Sequence, residues 1–224
     1  MSYEFLIFDL DGTLVDSQYD LTTAVNLMRK DFGLAPFPVE KVSSYLGSGV
    51  NALIAKVLPE KPDNVNEALR LFTEHYKKHL LDTTKLYDGV KETLEKLKDK
   101  KIALLSNKTE IFCREILTRL DIAKYFCEIF GGDSAGVKKP DPKPILDLIK
   151  LSNADARKTV MIGDSANDFK AAKSANVDSI AVSYGYLNLE GIKTFSPTYI
   201  VNKFDEIIKI TEKQGGKSVY SKNT

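Results

Sequence analysis

Cysteine is scarce in this sequence: Cys113 and Cys127 are the only two. A secreted disulfide scaffold shows more, at closer spacing, so both read as reduced, small, buried residues. Charge of one sign is lacking as well. With 32 basic and 31 acidic residues the net charge is +1, which gives no global field to draw nucleic acid or an anionic membrane. Long hydrophobic runs are also missing, and none approaches the ~20 residues of a bilayer span. The first residues carry no basic segment leading into an apolar stretch, the pattern of a secretory signal. These absences point to a cytoplasmic protein, monomer or homodimer, with no nucleic-acid or membrane partner.

What is present is a core-forming sequence. The hydrophobic fraction is 43% over 224 residues, which fits one large domain or a core with an inserted piece. Phe5-Leu-Ile-Phe8 is a short continuous apolar run, the pattern of a strand buried on both faces of a parallel sheet. Lys101–Leu105, Thr159–Ile162, Ser179–Val182 and Thr198–Val201 repeat it. Helical patterns fall between them, at Gly89–Lys100, Glu110–Leu120, Pro142–Leu151 and Ala166–Ala175. Alternating strands and helices predict an α/β fold, a doubly wound (Rossmann-like) parallel sheet.

One stretch breaks the alternation. Between residues 16 and 84 apolar residues recur at helical spacing: Leu21, Ala24, Val25, Met28; Leu53, Ile54, Val57, Leu58; Leu69, Phe72, Tyr76. Prolines at 36, 38, 59 and 62 punctuate it into helices, and Ser17–Asp20 has an N-cap pattern. The expected organisation is a catalytic core of residues 1–15 and 85–212, an inserted helical cap of 16–84 and a polar C-terminal tail of 213–224.

Ligands of open α/β sheets bind beyond the carboxyl ends of the strands. Asp9 and Asp11 follow the first strand there; Ser106, Asn107 and Lys108 follow the second. Gly131-Gly-Asp133 and Lys138-Lys-Pro-Asp141 come later, then Gly163-Asp164-Ser165 and Asp168. Several carboxylates gathered at one edge repel unless a cation sits among them. Oxygen ligands without histidine or cysteine favour Mg²⁺. A carboxylate so held can attack phosphorus, a second can move the proton, and a lysine with hydroxyl and backbone donors can stabilise the phosphoryl oxygens.

Asp9-Leu-Asp-Gly-Thr13, Leu105-Ser-Asn107, Lys139-Pro140 and Gly163-Asp-Ser-Ala-Asn-Asp168 together resemble the four ordered motifs of the haloacid dehalogenase-like hydrolases. The stretch Phe8–Ser17 and the helical insertion resemble the phosphoglycolate phosphatase-type subgroup. The resemblance implies Asp9 as nucleophile and metal ligand. It implies Asp11 as general acid/base, holding Mg²⁺ through its backbone carbonyl. Thr13 would shape the substrate loop, Ser106 and Asn107 would hold phosphate, and Lys139, the lysine before proline, would neutralise phosphate and Asp9. Asp164 would complete the metal site, and Asp168 would support it directly or through water. The acid at position 11 favours phosphate over carbon–halogen chemistry.

Gly47-Ser48-Gly49 resembles the glycine-bearing cap loop of that subgroup, where backbone amides could approach a small carboxylate. The implied activity is Mg²⁺-dependent hydrolysis of a small phosphorylated metabolite, 2-phosphoglycolate first. Alternatives are a phosphatase of pyrophosphate, a nucleotide or a sugar phosphate, or a β-phosphoglucomutase-like mutase. His75 and His79, four residues apart, read as a solvated helix face rather than a metal pair.

Overall fold

A computed structural model describes residues 2–59 and 62–212; the tail expected at 213–224 lies outside them. Six strands form one parallel sheet: β1 (Phe5–Phe8), β4 (Lys101–Leu105), β5 (Glu128–Phe130), β6 (Thr159–Gly163), β7 (Asp178–Val182) and β8 (Tyr199–Val201), in the order β5-β4-β1-β6-β7-β8. The chain winds outward from β1 through β4 and β5, then returns to β6 on the other side of β1. The reversal at β1 opens a crevice above its carboxyl end, the ligand position of such sheets.

Both faces of the sheet are buried, which explains the unbroken apolar runs. Leu6, Phe8, Ile102, Leu104, Val160 and Ile162 pack on one side. Their alternate neighbours Phe5, Ile7, Ala103, Leu105 and Met161 pack on the other. The first side is covered by α5 (Val90–Lys96), α6 (Glu110–Arg119) and α10 (Glu206–Thr211). The second is covered by α7 (Lys143–Leu151) and α8 (Ala166–Ser174). Cys113 is buried in this core, but Cys127 is exposed and both are free thiols. The expected burial of Cys127 fails because it immediately precedes β5, an edge strand with a neighbour on one side only.

Between β1 and β4 the chain makes α1 (Gln18–Asp31), α2 (Val39–Ser43), α3 (Val50–Val57) and α4 (Val65–Lys78). Their buried residues follow the 3.6-residue spacing: Leu21, Ala24, Val25 and Met28 on α1; Ala68, Phe72 and Tyr76 on α4. A two-stranded antiparallel pair, β2 (Val15–Asp16) with β3 (Lys85–Leu86), frames this helical segment where the chain leaves and returns. Strands of two residues carry no periodicity, so the sequence does not announce them. Ser17 precedes α1 but does not cap it; its hydroxyl donates to Asp11 instead. His75 pairs with Asp31 and His79 with Asp82, so the two imidazoles serve separate surface contacts.

Asp20 on α1 ties the two crossings together. Its buried carboxylate accepts from the backbone N–H groups of Thr83 and Thr84 and from both threonine hydroxyls. Burial alone would raise its pKa, but these donors outweigh that and hold it below the usual carboxylate value. Asp20→Asn, which turns an NH₂ toward donors, should cost about 1–3 kcal/mol in urea denaturation at pH 7. A depressed folded-state pKa stabilises above the unfolded value and is lost as pH falls through the folded one. The gap between wild type and variant should therefore close below about pH 4. A pH-independent gap would contradict this.

Candidate active site

Four buried charged side chains meet above β1 and β6. Asp9 follows β1, Asp164 follows β6, Asp168 lies in the first turn of α8, and Lys139 arrives from the loop before α7. Carboxylate oxygens of Asp9, Asp164 and Asp168 lie within 4.8 Å of one another. Lys139 Nζ sits 3.0 Å from Asp9 Oδ1 and 2.6 Å from Asp168 Oδ1, and donates to the Leu105 carbonyl. Lys139, not its neighbour Lys138, reaches the nucleophile candidate.

The electrostatics suit a cation among these acids. Burial first, then Asp168, pushes the Asp9 pKa up to about 7 against the opposing pull of Lys139. Burial, Asp168 and Asp9 raise Asp164 well above the usual carboxylate range. Three acids and one ammonium leave excess negative charge in a buried, all-oxygen donor set, the chemistry a divalent Mg²⁺ would satisfy. Asp9 Oδ1 accepts from Leu10 N–H at 2.8 Å as well as from Lys139, which leaves Oδ2 without a hydrogen-bond donor among the described residues.

The supporting contacts differ residue by residue. Asp168 has both oxygens engaged, one by Lys139 and the other by the Ser165 backbone N–H and hydroxyl at 2.9 and 2.7 Å. Gly163 permits that approach, since a Cβ there would lie 2.4 Å from the Asp168 carboxyl carbon. Thr13 is buried and turns its hydroxyl toward Asp164 Oδ1 at 3.3 Å, away from the open cavity. Asp11 does not join the carboxylate cluster; its Oδ1 is 2.9 Å from Lys108 Nζ and accepts from Ser17.

A cavity rises from Asp9, Asp11, Ser106 and Asn107 toward the helical segment. Leu21, Leu46, Gly47, Gly49, Val50, Leu53 and Phe72 line it from that segment, and Phe112 lines it from α6. Gly47 and Gly49 both take positive φ, 92° and 83°, which only glycine adopts freely. The loop is fastened to the sheet edge: Asn107 Nδ2 donates to the Gly47 carbonyl at 2.9 Å, and Asn167 Nδ2 donates to the same oxygen at 3.0 Å and to Ser48 Oγ at 3.2 Å. Ser48 itself faces Asn167 rather than the cavity.

Sequence reasoning misses two contributors. Tyr186, after β7, donates its backbone N–H to Asp164 Oδ2 at 2.7 Å, and Gly185 leaves the space for it, a Cβ there falling 2.3 Å from Asp164 Cβ. Tyr184-Gly-Tyr186 at a strand's carboxyl end was the available signal. Lys108 is the other; it stood in the strand-end inventory, but its partners come from distant segments.

The matching family model, haloacid dehalogenase-like hydrolase, covers residues 6–182. A phosphoglycolate phosphatase of Colwellia psychrerythraea is 40% identical over 215 residues, 92% of this chain and 95% of that protein. One from Aquifex aeolicus is 34% identical over 92% of this chain and 96% of its own. The crystal structure of a predicted phosphoglycolate phosphatase from Haemophilus somnus superposes with a TM-score of 0.90 at 32% identity, covering 95% of this chain and 99% of that one. Among the described residues no helix is long and apolar enough to cross a membrane. With four ordered motifs meeting at one sheet edge and a family model spanning most of the sequence, this chain belongs to the haloacid dehalogenase-like hydrolases.

Proposed function

We propose that the protein is a Mg²⁺-dependent phosphatase that converts 2-phosphoglycolate to glycolate and phosphate through an aspartyl phosphate on Asp9. The observation that carries this reading is Asp9 itself: a buried carboxylate with one oxygen fixed by Leu10 N–H and Lys139 and the other left free at the floor of a cavity. The names of the similar proteins support the choice of substrate.

Asp9, Asp164 and the Asp11 carbonyl would hold the Mg²⁺ in this reading, with Asp168 fixing Lys139 and supporting the ion directly or through water. The ion supplies charge neutralisation for the dianionic phosphate and the acids around it. Asp9 Oδ2 attacks phosphorus, and the bond to the ester oxygen breaks as that oxygen takes a proton from Asp11. Asp11, now a carboxylate, takes a proton from water as the water oxygen attacks phosphorus, and Asp9 leaves. Ser106, the Asn107 backbone and Lys139 hold the phosphoryl oxygens through both steps. The α1–α4 segment acts as a cap over the crevice, with Gly47–Gly49 its point of attachment to Asn107 and Asn167.

The test is phosphate release with Mg²⁺ across 2-phosphoglycolate, pyrophosphate, nucleoside monophosphates and β-glucose 1-phosphate, with an EDTA control. Preference for 2-phosphoglycolate, abolished by EDTA, is expected; preference for another compound overturns the substrate, and EDTA-resistant release overturns the metal. Gly185→Ala crowds Asp164 and should raise the Mg²⁺ concentration for half-maximal rate by about 10–100-fold. An unchanged value would show that the 184–186 loop does not position Asp164.

A further inference from the structure

The cavity wall poses a problem for the substrate. It is apolar on most sides, whereas 2-phosphoglycolate carries a carboxylate at the end opposite its phosphate. A carboxylate pressed against Leu46, Leu53 and Phe72 without a partner would lose its hydration uncompensated. Among the described residues lining the cavity, Lys108 is the one cation. Its side chain is only 7% exposed.

Lys108 stands at the junction of core and cap. Its ammonium is 2.9 Å from Asp11 Oδ1, donates to the hydroxyl of Tyr76 on α4, and lies 4.6 Å from the centre of that ring. Tyr76 is fixed by stacking on Phe72 and an edge contact with Phe112. An ammonium has three N–H donors. Two are used, and the third has no acceptor among the described residues. The Tyr76 hydroxyl accepts from Lys108, and its own hydrogen has no acceptor among the described residues. Two adjacent donors therefore stand ready for one anion.

The covalent structure of the substrate supplies the position. One methylene separates the ester oxygen, which Asp11 must protonate, from the carboxylate carbon. The carboxylate's partner must then be an immediate neighbour of Asp11, and Lys108 is in direct contact with it. We infer that Lys108, assisted by the Tyr76 hydroxyl, recognises the substrate carboxylate and so selects acid-bearing phosphomonoesters over neutral ones. This inference rests on the proposed phosphatase reading and adds a specificity residue to it.

The experiment compares 2-phosphoglycolate with ethyl phosphate, which replaces the carboxylate by methyl and keeps the ester. In Lys108→Met the ratio of the two kcat/KM values should fall about 10–100-fold, with most of the 2-phosphoglycolate loss in KM. Any damage through Asp11 slows both substrates and cancels in the ratio. Lys108→Arg, which keeps the charge, should hold a higher ratio than Lys108→Met. Tyr76→Phe should lower the ratio about 3–10-fold and serves should Lys108→Met fail to fold. An unchanged ratio in these variants overturns the inference. Calorimetric affinities of Asp9→Asn and Asp9→Asn/Lys108→Met for the same two compounds, with Mg²⁺, read recognition without turnover. Equal affinity of Asp9→Asn for both compounds overturns carboxylate recognition while leaving the phosphatase reading intact. Absent turnover with a Lys108-dependent affinity ratio overturns the phosphatase reading alone.

Discussion

Asp9→Asn should lower kcat on 2-phosphoglycolate by on the order of 10⁴-fold or more, with the fold intact. The amide has no anionic oxygen to attack phosphorus, whereas its size and shape match the carboxylate it replaces. The stability side is equally specific. Burial and Asp168 raise the Asp9 pKa to about 7. Without Mg²⁺, ionising this acid above its unfolded value costs stability as pH rises from about 4 toward 7. The neutral amide avoids that cost, so the metal-free Tm near neutral pH should be unchanged or higher. Steady-state kinetics and calorimetry on the same preparation check both halves. A kcat within tenfold of wild type would remove Asp9 from the nucleophile's role, and a collapse in Tm would make it structural.

Lys139→Met should produce the largest loss of stability. Lys139 is 3% exposed and touches Asp9, Asp168 and the Leu105 carbonyl. Burial alone would lower its pKa, but Asp168 and Asp9 outweigh that and hold it raised and charged. Its removal leaves two buried carboxylates facing each other without a counter-charge. The cost of breaking such a pair is about 3–5 kcal/mol, or roughly 6–20 °C in Tm for a chain of this size. Activity should also fall, since the same ammonium holds the nucleophile. Lys138→Met, one residue earlier and outside the cluster, should stay within about 0.5 kcal/mol. Equal effects of the two substitutions would show that the buried ion pairs contribute little.

The parallel core was legible because its strands are buried on both faces, so Phe5–Phe8 and Thr159–Ile162 read as unbroken apolar runs. The acids were legible for a related reason: Asp9 and Asp164 stand directly after strands, Asp11 and Asp168 follow a few residues on, and strand ends converge by topology. Contacts made across long sequence separations were not. Nothing local to Tyr186 says that its N–H will meet Asp164, and nothing in Asn107-Lys108 says that the lysine will bridge Asp11 and Tyr76. The Thr13 hydroxyl meets Asp164 and the Ser48 hydroxyl meets Asn167, partners that nothing local to either motif announces. Spacing fixes where a residue sits in the chain's path; the direction of its side chain depends on what other segments bring.

The most direct test of the central claim is chemical trapping during turnover. The enzyme would be mixed with 2-phosphoglycolate and Mg²⁺, quenched in acid, reduced with borohydride, and the peptide spanning Phe5–Ser17 analysed by mass spectrometry. The account predicts reduction of Asp9 to homoserine only in samples caught turning over, and none in Asp9→Asn. Phosphate release with Asp9 never modified, or modification at another acid, would contradict it.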